Sequence, residues 1–406
     1  MRSHPQLQTG QFGNVPIIIL LVLMYVIVAM SDNFKGIFVP FFKEDFGVNN
    51  TQIGYILTAS LLAYAIFQYI GGILIEKVGY KKVLSLGFLM GITSLLLLIT
   101  CKTYVFLLLG LFGLNIGMAM FNVGVNTLGP ILTVTSTAVL MNFVNFSYGA
   151  SNTAIQQIVG NLLSAGVQWP TFYIFMLICC GLLFIYLLFL KIPYTPKSAT
   201  ISYHKLDLLK NKMLYFYIIA LGFYLASEYG IGNWFVNYMK EEFNLSADRR
   251  ALYASLFFGF ETIGRLLGGF IVDRLGAFKS MLLFGCFASL LSTAGIAYGE
   301  GGLLIFSAAG FFYSIIYPTI ITTAHQVFKE AASYAIGLIL MCGTLIAMVV
   351  NMLMGIGNDF IGVYFSYYSV AISIAITTAT ILFIKRNVDT SQIRSELESF
   401  SATNSD

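Results

Sequence analysis

Five ionisable side chains sit inside runs of apolar residues: Asp32 and Lys35 in "SDNFKG" (31–36), Glu228 in "YLASEYGIGNW" (224–234), and Glu261 and Arg265 in "ETIGR" (261–265). An isolated charge in apolar surroundings is costly, so each needs a partner or a wet cavity. Asp32 and Lys35 at i, i+3, and Glu261 and Arg265 at i, i+4, stand at helical pairing distance. An acid left unpaired at depth is pushed towards its protonated form by desolvation, which makes it a proton carrier. The spacing leaves both roles open, a structural ion pair and a titrating group. Bond-making chemistry finds no support. His4, His204 and His325 are far apart, and no H-E-x-x-H, G-x-S-x-G or phosphate-loop pattern occurs. The five cysteines lie scattered through apolar segments without metal-ligand spacing, so no metal, cofactor or disulfide is expected.

The elements that position these groups follow from composition. Hydrophobic residues make up 58% of the 406-residue chain, charged residues 10%, and the mean hydropathy is +0.83. Soluble domains are about 25% charged, so the bilayer must be this chain's solvent. Apolar runs long enough to span are expected near 16–39, 51–74, 83–100, 104–126, 137–165, 171–192, 213–238, 249–272, 281–298, 302–325, 332–355 and 361–385. The polar stretch 191–212 separates six from six. The expected organisation is an N-terminal segment 1–15, a six-helix bundle 16–192, a linker 193–212, a second bundle 213–385 and a disordered tail 386–406. The fold class is all-α integral membrane, with twelve transmembrane helices in two pseudo-symmetric six-helix bundles. Lysines and arginines number fifteen on the side that holds both termini and five on the other, which predicts cytoplasmic termini. The net charge of +4 reflects this bias and implies no nucleic-acid partner. The expected location is a cell inner or plasma membrane, crossed many times by a monomer.

The two halves repeat. "KEDFGVNNTQIGYILTASLLAYAIFQYIGGILIEKVG" (43–79) aligns without a gap on "KEEFNLSADRRALYASLFFGFETIGRLLGGFIVDRLG" (240–276), an offset of 197 residues. A parallel repeat of six helices is the arrangement of major facilitator transporters. The repeated phrase resembles that superfamily's signature loop, with Gly72, Glu76, Lys77, Gly79, Lys81 and Lys82 in one copy and Gly269, Asp273, Arg274 and Gly276 in the other. The resemblance implies a gating role for these loops, with glycines for close helix approach and the acids for pairing.

A narrower resemblance is to the fucose permease branch, a group of sugar–proton symporters. "FYLASEYGIGNWFVNYM" (223–239), "FFGFETIGRLLGG" (257–269), "YPTIITTA" (317–324) and "MNFVNFSYGASN" (141–152) carry it. Asn145 stands where that branch often has a His, Gly36 where an acid is expected before Pro40, and Asn122 where a Glu is expected. Coupling through those positions is therefore not implied. Glu228 and Glu261, with Asp32 as the third acid, are the expected proton-coupling residues, and Lys35 and Arg265 their charge partners. At 1.5 Å per residue, Asp32 and Glu228 each lie about 22 Å from the cytoplasmic end, and Glu261 about 15 Å from the outer end. Asn33, Asn122, Asn126, Asn145 and Asn233 offer the donors and acceptor that hydroxyl recognition needs. Tyr148 and Trp234 offer rings for a sugar face.

The expected function is secondary transport of a small polar solute, a sugar, by alternating access with proton coupling. A proton-antiport drug exporter and uptake of a small organic anion are the alternatives. The partners are that solute, a proton and the lipid bilayer.

Overall fold

The computed structural model describes residues 14–129, 132, 137–192, 208–328 and 332–403, apart from the side chains of Glu76 and of some residues at the helix ends. Most of the expected 193–212 linker and the start of the N-terminal segment lie outside the described residues. Every described element is helical. In chain order they are α1 (Val15–Ile37), α2 (Val39–Phe46), α3 (Asn50–Val78), α4 (Tyr80–Thr100), α5 (Tyr104–Leu128), α6 (Thr137–Ser164) and α7 (Trp169–Phe189). These are followed by α8 (Lys212–Phe243), α9 (Ala247–Leu275), α10 (Ala277–Ala297), a 3-10 turn (Gly299–Gly302), α11 (Leu303–Ala308), α12 (Gly310–Tyr313), α13 (Ile316–Phe328), α14 (Ala332–Phe360) and α15 (Val363–Thr403). Among the described residues, 11 helical segments are long and apolar enough to cross a membrane.

Prolines account for two of the breaks, those between α1 and α2 and between α12 and α13. Pro40 lacks an N–H and its ring crowds the carbonyl four residues back, at Gly36, and α1 ends at Ile37. Pro318 does the same to Ser314, and the run expected as one helix over 302–325 divides there into α12 and α13. At the other extreme, α15 continues to Thr403 through the segment expected to be disordered from 386. No glycine or proline occurs between Arg386 and Thr403 to stop it.

The chain divides into two compact units that cut across helices. The first comprises Met1–Thr200, Gly232–Gly259 and Asn351–Ser366; the second comprises Ile201–Ile231, Phe260–Val350 and Tyr367–Asp406. In the first, α4 and α5 pack through small residues. A Cβ on Gly117 would fall 2.6 Å from the Gly87 carbonyl oxygen and 3.1 Å from the Gly91 nitrogen. Lipid tails are as apolar as leucine, so helices in a bilayer associate by such close backbone packing. An aromatic stack of Phe34, Phe38, Phe42, Trp169 and Tyr173 fastens α1 and α2 to α7, and the Trp169 indole donates to Asp45 at 2.6 Å. In the second unit, Gly222 sits against Ile346 and Gly285 against Thr378 in the same way.

The repeated loops have one backbone conformation. Gly79 has φ 86° and ψ 162°, and Gly276 has φ 81° and ψ 151°. Side chains rarely adopt a positive φ, which is why glycine recurs at that place in each copy.

Candidate functional site

In the second unit Arg265 lies between two carboxylates. Its Nη2 donates to Glu261 Oε1 at 2.5 Å, one helical turn away on α9, and to Glu228 Oε1 on α8 at 3.4 Å. The Glu261 side chain is 4% exposed, Glu228 20% and Arg265 33%, so one acid is buried and the other reachable. One guanidinium against two carboxylates leaves a single net negative charge. Tyrosines flank the cluster: Tyr224 packs on Tyr313 and Tyr317 at ring distances of 6.2 and 6.1 Å. Tyr313 shares a 2.7 Å hydrogen bond with Ser227, which also donates to the Val370 carbonyl at 2.8 Å. The Pro318 break thus gives α12 and α13 the offset that sets Tyr313 and Tyr317 beside α8.

In the first unit the other pair matches one acid to one base. Lys35 Nζ donates to Asp32 Oδ1 at 2.9 Å and to Asn115 Oδ1 at 3.0 Å, and Lys35 is buried. Tyr148 donates to the other Asp32 oxygen at 3.0 Å. The Tyr148 ring meets Tyr25 edge-on at 5.8 Å, and Tyr25 accepts from Asn126 at 2.9 Å. Asn126 and Gln68 both donate to the Asn122 side-chain oxygen at 3.0 Å. A polar chain therefore runs across α3, α5, α1 and α6.

A second, buried amide network lies beside it. Asn33 donates to Asn152 at 2.7 Å and accepts from Gln156 at 2.6 Å. Asn233 donates to Asn351 at 3.2 Å. Trp234 is 1% exposed with its indole N–H unpartnered, and Asn145 is exposed. The structure thus joins Asp32, Lys35, Tyr148, Asn122 and Asn126 in one chain of contacts, and Glu228, Glu261 and Arg265 in another. Asn33 and Asn233 belong to separate amide pairs. Asn115, Asn152 and Gln68 were not anticipated; a lone amide inside an apolar run was the available signal for each.

The repeated loops differ from expectation in detail. Open space surrounds Gly72 and Gly269, and the close approach is made one residue earlier in the second copy, where a Cβ on Gly268 would fall 2.1 Å from Ile315. Lys81 Nζ donates to the carbonyls of Leu188 and Leu190 at 2.7 and 2.9 Å, capping the end of α7, where a cation complements the helix dipole. The Glu76 side chain lies outside the described residues. Lys77, Lys82, Asp273 and Arg274 flank the two turns at the ends of α3 and α9 and the start of α4.

Charges held midway along helices of spanning length suit a membrane carrier and not a bundle that only packs against lipid. The class is a polytopic α-helical membrane transporter. Its relatives sharpen that statement: the sequence model of the Major Facilitator Superfamily matches residues 21–350 and 217–403, and the chain belongs to that superfamily. It is 26% identical over 346 residues to the putative glucose/galactose transporter of Helicobacter pylori (strain ATCC 700392 / 26695), covering 79% of this chain and 83% of the relative. It is 25% identical over 319 residues to the probable nitrate transporter NarT of Staphylococcus epidermidis (strain ATCC 35984 and its equivalents), covering 75% and 79%. Among solved structures, the nucleoside transporter NupG superposes with a TM-score of 0.71 at 16% identity, covering 92% of this chain and 98% of that one. The E. coli fucose:proton symporter FucP superposes at 0.66 with 18% identity, covering 92% and 99%.

Proposed function

We propose that this chain carries a small neutral polar solute, a sugar, across the cytoplasmic membrane by alternating access, and that Glu228 carries the coupling proton. The observation behind the coupling is the charge count at Arg265. Two carboxylates share one guanidinium, so a single proton neutralises the cluster. Glu261 holds the shorter contact and is buried, which leaves the more exposed Glu228 as the acid that exchanges with solvent. Asp32 already accepts from Lys35 and Tyr148 and serves as a structural partner.

The same count favours a neutral solute over an anion. Lys35 and Arg265, the cations midway along spans, are each matched by carboxylates, whereas an anion needs a cation to spare. The glucose/galactose relative agrees, and the nitrate relative keeps the anion reading under test. The amide and tyrosine chain from Gln68 to Asp32 supplies hydroxyl-binding groups of both senses. We count α6 as a twelfth span, since its 28 residues reach about 42 Å. The protein is then a monomer of two six-helix halves with both termini in the cytoplasm, gated in part by the repeated loops.

Purified protein in proteoliposomes, offered labelled glucose, galactose or nitrate with the outside acidified, tests the reading. Accumulation of a hexose that vanishes when the pH gradient is removed is the expected result. Uptake of nitrate without hexose would replace the sugar with an anion. Hexose entry that is indifferent to pH would leave a facilitator.

A further inference from the structure

Lys35 is built like an anion site whose anion is already supplied. Its side chain is 7% exposed, and a buried ammonium needs acceptors. It donates to Asp32, one turn back on α1, at 2.9 Å and to Asn115 on α5 at 3.0 Å. The Asn115 amide nitrogen donates to the Leu111 carbonyl at 2.8 Å, which turns its oxygen towards Lys35. Burial is unequal across the ion pair. The Asp32 side chain is 33% exposed, so the carboxylate is the accessible member and the ammonium lies beneath it. Tyr148 on α6 donates to the second Asp32 oxygen at 3.0 Å. A charged group exposed within a span faces a wet cavity and not lipid.

The carboxylate thus fills the place that a solute carboxylate would take. Lys35 and Tyr148 together offer a positive charge and two directed donors, which is the recognition a carboxylate requires, and Asp32 uses all of it. Because Asp32 is tethered one turn from Lys35, its contact is intramolecular, and an anion from solution competes at a disadvantage. A neutral hydroxyl needs no cation and can still meet the free lone pairs of the carboxylate.

We propose that Asp32 is a tethered stand-in for an anionic solute: by occupying the donors of Lys35 and Tyr148 it excludes sugars that carry a carboxylate and selects neutral ones. The inference rests on the carrier reading above and deepens it, since it names the residue that sets the charge of the solute. Its test reads binding and melting only. Failure of hexose accumulation in the parent would remove the carrier reading and leave these readouts intact.

Asp32→Ala removes the one carbon and two oxygens that a formate ion contains, and leaves the buried Lys35 unmatched. The variant in detergent should melt below the parent, because a buried charge has lost its partner. Formate should raise its melting temperature by several degrees at constant ionic strength, by binding the folded state alone. Formamide, of the same shape but uncharged, should not. Glucuronate, a hexose with a carboxylate at one end, should bind Asp32→Ala at least about tenfold more tightly than it binds the parent, since it gains a charge-assisted contact. Adding Lys35→Met should abolish both gains. Should Asp32→Ala fail to fold, Asp32→Asn keeps the bulk and frees the cation, and its binding should shift from glucose towards glucuronate. Equal action of formate and formamide, gains that survive Lys35→Met, or a parent that binds glucuronate as well as either variant does overturns the proposal.

Discussion

Replacing Glu228 by Gln keeps the shape and the hydrogen bond to Arg265 and removes titration. The cluster then consists of the Glu261–Arg265 pair at 2.5 Å, with no net charge, which is the state the parent reaches by binding one proton. With one proton per solute, a pH gradient of one unit supports about tenfold accumulation, because one pH unit is worth about 1.36 kcal/mol. A membrane potential of about 100 mV adds about 2.3 kcal/mol per charge, or roughly another fiftyfold. Both should vanish in Glu228→Gln, leaving an inside-to-outside ratio of about one, while exchange of labelled for unlabelled solute continues. Folding should be little affected: the Glu228–Arg265 contact is 3.4 Å long between partly exposed groups, so its loss costs at most about 1 kcal/mol. Glu261→Gln is the contrasting case. It turns the short charge-assisted bond of a buried acid into one to a neutral acceptor and should cost about 1–3 kcal/mol. Accumulation ratios in proteoliposomes and melting curves in detergent give the two readouts. If Glu228→Gln concentrates solute as the parent does, the shared-guanidinium argument is wrong and the proton binds elsewhere.

Two other expectations follow from the packing. Gly117→Ala drives a methyl into the Gly87 carbonyl at 2.6 Å, and backbone on both sides leaves nothing to yield. It should destabilise the α4–α5 pair by about 1–3 kcal/mol, seen as a lower melting temperature, whereas a neutral result would mean the helices slide apart freely. Cys101, in the turn between α4 and α5, has its thiol pushed up to about 11 by burial, with the Asp45 carboxylate adding to the effect. The thiolate is the reactive form, so maleimide labelling at Cys101 should climb about tenfold per pH unit from 7 to 10, and a plateau near pH 9 would show the site to be open to water.

The helices were legible in the sequence because a bilayer leaves each span one solution: satisfy every backbone group internally and cover it with apolar side chains. Asn50–Val78 was expected over 51–74 and Ala247–Leu275 over 249–272, and the differences lie in the amphipathic turns at the ends. The span expected over 302–325 is matched by the apolar stretch Gly299–Phe328, and its internal division was missed because hydropathy is blind to where a proline removes a hydrogen bond. The site was half legible. Ionisable residues in apolar runs announce themselves, and the i, i+3 and i, i+4 spacings gave the Asp32–Lys35 and Glu261–Arg265 pairs. The 3.4 Å contact from Glu228 to Arg265 joins positions 37 apart, and no local spacing encodes it.

That third contact changes the chemistry assigned to the cluster. Read along one helix, Glu261 and Arg265 neutralise each other and leave Glu228 as an isolated acid. With Glu228 on the same guanidinium, the acids compete for one cation, and protonating either strengthens the other's hold. A proton arriving at Glu228 would free Arg265 to settle wholly on Glu261, and its departure would draw the guanidinium back towards α8. Under the proposed coupling, protonation would change the force between α8 and α9. The coupling then needs no side chain that binds proton and solute alike.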